Sequence, residues 1–153
     1  MVQALRLQYL NIQLENAVGD LETKNNELSV WYVEDDKSNL EQIAAALAAS
    51  SDTISNLDYA LLDQGVLSEV SIKVRNTKGG SPDEKVNSWH RDLVELSATA
   101  LFELAKAIQT KATKERILPR DIGRLIKRAV DAGQIDRTKL KPGVAAKLDS
   151  IGN

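Results

Sequence analysis

Residues 81–115 read SPDEKVNSWHRDLVELSATALFELAKAIQTKATKE. The stretch carries the marks of one long helix. Ser81 supplies an N-cap, Pro82 fits the first helical position and Glu84 closes a capping box three residues on. Asp83 and Glu84 put negative charge at the positive end of the helix dipole. Behind them Val86, Trp89, Leu93, Leu96, Ala100, Leu101, Leu104, Ala107 and Ile108 recur at helical spacing and form one apolar stripe. A stripe of this length has to be buried, with Leu93, Leu101 and Leu104 at its centre.

Two further patterns offer partners for it. Over residues 2–31, Leu7, Leu14, Leu21 and Leu28 fall every seventh residue, which puts Val18 and Asn25 at the intervening seam positions. Leucine at d with an occasional Asn at a fixes register in coiled coils. Leu7, Leu14, Val18, Leu21, Asn25 and Leu28 are therefore the expected contacts of a homo-oligomer, and a helix packed inside one chain gives the same pattern. After the acidic cluster Glu34-Asp35-Asp36, Ser38 and Glu41 form a second capping box. Leu40, Leu47, Ile54 and Leu61 then recur every seven as far as Gln64-Gly65, where glycine suits a helix end. Within that helix Ala44 to Ser51 is small enough to let a neighbour approach closely.

The expected fold class is therefore all-α: three long antiparallel helices over residues 1–116, followed by a basic helical tail over 117–153. One short strand is expected near 69–75, where Val70, Ile72 and Val74 alternate with polar residues. No partner strand is evident in the chain, so this strand is a second argument for pairing between copies. The Gly79-Gly80 loop lacks the spacing of a phosphate-binding loop.

In the tail, Pro119 breaks the chain and Arg120 to Ala132 has an amphipathic helical pattern closed by Gly133. Ile122, Leu125, Ile126, Ala129 and Val130 share one face. Arg120, Arg124, Lys127 and Arg128 share the other, which makes them the candidate contacts for an anionic partner, nucleic acid included. Asp136 caps a further turn, and Val144 to Ile151 has the pattern of a last helix. Charge supports the division: residues 1–110 hold 9 Lys/Arg against 17 Asp/Glu, whereas residues 111–153 hold 11 against 5. Such a tail meets an anionic partner, contacts the acidic body of another copy head to tail, or folds back on its own acidic body.

Catalytic groups are few. His90 is the only histidine and there is no cysteine, which removes disulfides, thiolate sites and paired-histidine chemistry. On a helix, Ser88, His90 and Asp92 would not face one another. Asp92, Glu95 and Glu103 offer one acidic helix face for magnesium, but a second pair is missing, so a metal-dependent nucleotide hydrolase is a distant alternative. No cofactor or metal is expected. With no signal pattern or membrane-length apolar run, the default expectation is a cytoplasmic chain without membrane contact. The expected function is a non-enzymatic structural or protein-interaction module acting as an oligomer, with a nucleic-acid-binding or assembly accessory role as the alternative.

Overall fold

The structure is a computed structural model that describes residues 2–7 as backbone and residues 25–151 in full. In chain order it runs β1 (Val2–Leu7), β2 (Leu28–Val33), α1 (Leu40–Ala49), β3 (Leu57–Asp63) and α2 (Gln64–Glu69). There follow β4 (Lys73–Asn76), α3 (Glu84–Ser88), β5 (His90–Val94), α4 (Ala98–Lys111) and β6 (Thr113–Ile117). α5 (Pro119–Asp131), a 3-10 turn (Arg137–Lys139) and α6 (Pro142–Ser150) complete the described residues. The fold is mixed α/β, and the all-α bundle and coiled coil are overturned.

Every strand pairing is antiparallel. β4-β5-β2 forms one block and β3-β6 another, and β1 bridges them into the order β4-β5-β2-β1-β3-β6. Of the strand expected near 69–75 only residues from Lys73 on are extended, as β4, while Val70 caps α2 and Ile72 precedes the strand; β4 pairs with β5 of the same chain, Val74 opposite Leu93. It therefore gives no argument for pairing between copies.

The supposed long helix is four elements. Asp83, not Ser81, is the N-cap of α3, accepting from the backbone N–H groups of Lys85 and Val86. The chain then enters β5, and Glu95 at φ 57° ends that strand in the left-handed region. Ser97 caps α4 by accepting from Ala100 N–H. Leu93 and Leu104 are fully buried as expected, but Leu101 is only partly so. They share a core because a strand and a helix each turn one apolar face to the same layer, and no continuous helix is needed.

The leucine heptads dissolve in the same way. Leu7 ends β1 and Leu28 begins β2. Asn25 is an exposed turn residue with φ 56°, next to Asn26 at φ 60°, the conformation that asparagine tolerates best after glycine. Leu14, Val18 and Leu21 lie outside the described residues. The expected second helix stops at Ala49, and Leu57, Leu61 and their neighbours become β3. From Leu57 to Leu62 every β3 residue is buried, because helices cover both faces. A strand buried twice reads as a continuous apolar run, which periodicity cannot separate from a buried helix.

The layers follow from the packing. On one face α4 sets Leu104, Ala105 and Ile108 against Val30, Ala60, Leu62 and Leu93. On the other, α1 and α3 set Ile43, Ala46 and Val86 against Val33, Tyr59 and Leu61. α5 and α6 then cover α1, with Ile122, Leu125, Ile126, Val144 and Leu148 meeting Ala44, Ala45, Ala48 and Ala49. The small stretch does receive a close neighbour. Gly143 lets α6 approach: a Cβ there would lie 2.5 Å from the Asp52 carbonyl oxygen. The tail thus packs on the body. No helix among the described residues is long and apolar enough to cross a membrane.

Candidate functional site: a charged-rim cleft between α1 and α5

α5 forms where the sequence places it. Pro119 occupies its first turn, Ile122, Leu125, Ile126 and Ala129 are buried, and Gly133 at φ 72° follows its end. The helix is fixed on α1 by that apolar face, so its arginines point away from the core. Toward the first turn of α1 the two helices leave a cleft of about 430 Å³. Leu40, Ala44, Tyr59, Ile117 and Leu125 give it apolar walls, while Glu41, Asp121, Arg124 and Arg128 supply its charged groups. Leu118, just beyond Ile117, is an exposed large apolar side chain.

Tyr59 rises from β3 into this space. Its hydroxyl donates to Glu115 Oε2 at 2.7 Å across the β3–β6 pair. Burial pushes the Tyr59 phenol well above its ordinary range, and the bond to the Glu115 carboxylate adds to the rise. Tyr59 is therefore a neutral donor at any physiological pH. On the opposite face of the same strand pair, Arg116 grips the buried Asp58 with two bonds, Nε to Oδ1 at 2.6 Å and Nη2 to Oδ2 at 2.9 Å. That bond to Asp58 raises the Arg116 guanidinium above its ordinary value.

All four tail residues expected to contact an anion have carboxylates close by. Arg120 lies 3.8 Å and Arg124 3.6 Å from Asp121, Arg128 reaches Glu41 of α1 at 3.6 Å, and Lys127 meets Asp131 at 2.9 Å. Lys141 pairs with Asp52 at 2.8 Å. The basic tail thus meets acidic groups of its own body. The three arginine pairs are nevertheless loose and wet: the side chains of Arg120, Arg124 and Arg128 are 77, 58 and 67% exposed. Pairs of this kind contribute little, so a better-placed anion can displace them. Lys127 is less exposed and turned to its own helix neighbour.

The residues that complete the cleft were missed by the sequence reading. Leu40, Glu41, Ala44 and Tyr59 belong to segments far from α5 in sequence, and the apolar spacing around Tyr59 predicts a helix where the structure has β3. The proximity of Arg128 and Glu41 has no local signature.

A second polar cluster lies at the β4–α3 junction. On β5, His90 and Asp92 do share a face, because residues two apart on a strand point the same way. This corrects the helical reading that separated them. Thr77 Oγ1 lies 2.8 Å from His90 Nδ1 and donates to Asp92 Oδ2 at 2.9 Å, while Ser29 donates to Asp92 Oδ1. The Trp31 ring stands edge-on to His90 at 5.1 Å. Ser88 turns its hydroxyl back to the Lys85 carbonyl and takes no part. These bonds fix Thr77 against β5, whereas the buried Trp31 Nε1 beside His90 has no hydrogen-bond partner among the described residues. Asp92, Glu95 and Glu103 fall on a strand, a turn and α4, so the expected acidic helix face does not form. Among the described residues no three His, Cys, Asp or Glu side chains stand together as metal ligands.

The described residues form a layered α/β arrangement with an amphipathic groove between α1 and α5. No protein-family model, no curated protein and no solved structure matches the chain.

Proposed function

We propose that this protein is a non-enzymatic protein-interaction module whose contact surface is the α1–α5 cleft. The observation that carries the reading is the composition of the cleft: apolar walls from Leu40, Ala44, Ile117 and Leu125 between opposed exposed charges. Such a surface gains from burying apolar area while its rim selects partners by charge. A catalytic role has less support, since Thr77 and Ser29 already engage the His90 and Asp92 side chains. Nucleic-acid binding through α5 has less support because a phosphate backbone would leave the apolar walls of the cleft uncovered.

The expected homo-oligomer loses the heptad and the lone strand as arguments and rests on the opposed charges of body and tail. Light scattering that returns a mass of 16.8 kDa at all concentrations removes it.

The cleft itself is tested by affinity capture from cell extract with the whole chain. Leu40→Lys places a charge in the cleft and is expected to abolish capture of the specific partner. Phe102→Lys, on the exposed side of α4, is expected to leave capture unchanged. If the two variants behave alike, the cleft is not the contact surface.

A further inference from the structure

Resting on that reading of the cleft, we propose that its occupant is a second copy of this chain. The two copies meet about a two-fold axis along the groove, and Leu118 of each covers the apolar walls of the other. The argument is one of self-complementarity. The charges that line the cleft balance, Glu41 and Asp121 against Arg124 and Arg128, so a partner of one sign gains no advantage. They are divided between the walls, however. The α1 wall carries Glu41 alone and the α5 wall two arginines against Asp121, which gives the walls equal and opposite net charge. A two-fold axis along the groove lays each α1 wall over the α5 wall of the other copy and so brings the two signs together. Glu41 and Arg128 already meet across the groove at 3.6 Å, and the same operation sets each Glu41 over the Arg128 of the other copy.

Exchanging these exposed pairs between copies adds little affinity by itself. It sets the register, and burial of apolar surface drives the association. Leu118 is 55% exposed, the most of any large apolar side chain among the described residues, and it follows Ile117, which lines the cleft. On the receiving side, half-buried Leu40 and Ile117 keep apolar surface in water. Knob and cleft thus share one rim, as an isologous contact requires, and about 430 Å³ has room for a leucine side chain. The sheet edge at β6 offers no easier route between copies. Any two-fold pairing of β6 with itself centred on Lys114, Glu115 or Arg116 sets that residue opposite its own copy, and like charges directly opposite are destabilising.

The test is sedimentation equilibrium of the whole chain over a wide concentration range. Wild type is expected to pass reversibly from 16.8 kDa to twice that mass. Glu41→Arg and Arg128→Glu each create two repulsive contacts, one in each symmetric half, and each is expected to weaken association about tenfold or more. Mixed together, the two single variants are expected to recover wild-type association as a heterodimer. The two reversed charges then meet at one contact and the two native ones at the other, a rescue that contacts within one chain cannot give. Leu118→Lys should abolish association and Phe102→Lys should leave it unchanged, and circular dichroism checks that every variant is folded. A mass of 16.8 kDa at every concentration overturns the second copy, while the capture experiment still decides the interaction reading. Association indifferent to Leu118→Lys, or a mixture no tighter than its two components, overturns it as well, because the contact then lies elsewhere. Growth beyond two chains does the same, since the contact is then open and not two-fold.

Discussion

The two faces of the sheet are covered by different means. α4 covers its face together with the short α2, whose Leu67 joins the same cluster, and its large side chains, Leu104 and Ile108, reach directly into the strands. α1 lies between the sheet and a second helical layer, and six of its ten residues are buried, five of them alanine. A helix buried on one side advertises itself by a single stripe. A helix buried on both sides needs small residues so that two neighbours fit, and it surrenders that stripe. The difference also places the cleft. On the doubled side the groove opens between α1 and α5, beside Tyr59.

Substitutions sharpen this contrast. The largest effect is expected on the α4 face, where Leu104→Ala removes a fully buried side chain and leaves a cavity that rigid strands cannot close. Its cost is about 2–5 kcal/mol by denaturant unfolding. A loss below that range would mean that α4 settles inward and the face is less firmly packed than its burial implies.

On the doubled side the vulnerability is reversed in sign: adding volume does the harm. Ala45→Leu forces side-chain bulk between α1 and α5 and is expected to cost about 1–3 kcal/mol. The same substitution at exposed Ala146 should be nearly neutral. Equal unfolding midpoints for the two variants would show that α5 shifts freely on α1.

The smallest effect concerns pH. The Lys141 ammonium bonded to Asp52 holds that carboxyl below its ordinary range, and the Thr138 hydroxyl and backbone N–H do the same for Asp136. Both are depressed in the folded chain. Their contribution is therefore present above the unfolded carboxylate range, about pH 4, and is lost as pH falls through the lower folded values. Because Asp52–Lys141 joins the tail to the body and Asp136 caps the turn before α6, amides of α6 are expected to lose protection on acidification, relative to their intrinsic exchange rates, more than those of α4. Protection factors followed from neutral to acid pH measure this, and an equal loss in both helices would remove the distinction.

How much of this was legible depends on how local the determining interactions are. The arginine face of α5 could be read from the sequence, since Arg120, Arg124 and Arg128 need only a helix to align them. The apolar walls of the cleft could not, because Leu40, Tyr59 and Ile117 come from three separated segments. β2 does carry a signal: Val30, Trp31, Tyr32 and Val33 are strand formers, but the heptad reading takes in the first two and leaves the other two in the break after it. Asn25-Asn26 was likewise a turn signal read as a seam position.

By itself the sequence determined the tail. α5 begins at Pro119, turns its aliphatic face inward and stops before Gly133, and Asp136 caps the next turn, all through contacts within a few residues. Only the tertiary structure decided residues 81–115 and 57–63. There the apolar spacing fits a helix equally well, and the choice was made by strands distant in sequence. Leu93 lies opposite Leu28 and Val74, and Leu57 opposite Ile117, and these pairings supply the backbone hydrogen bonds that local propensity would have spent within a helix.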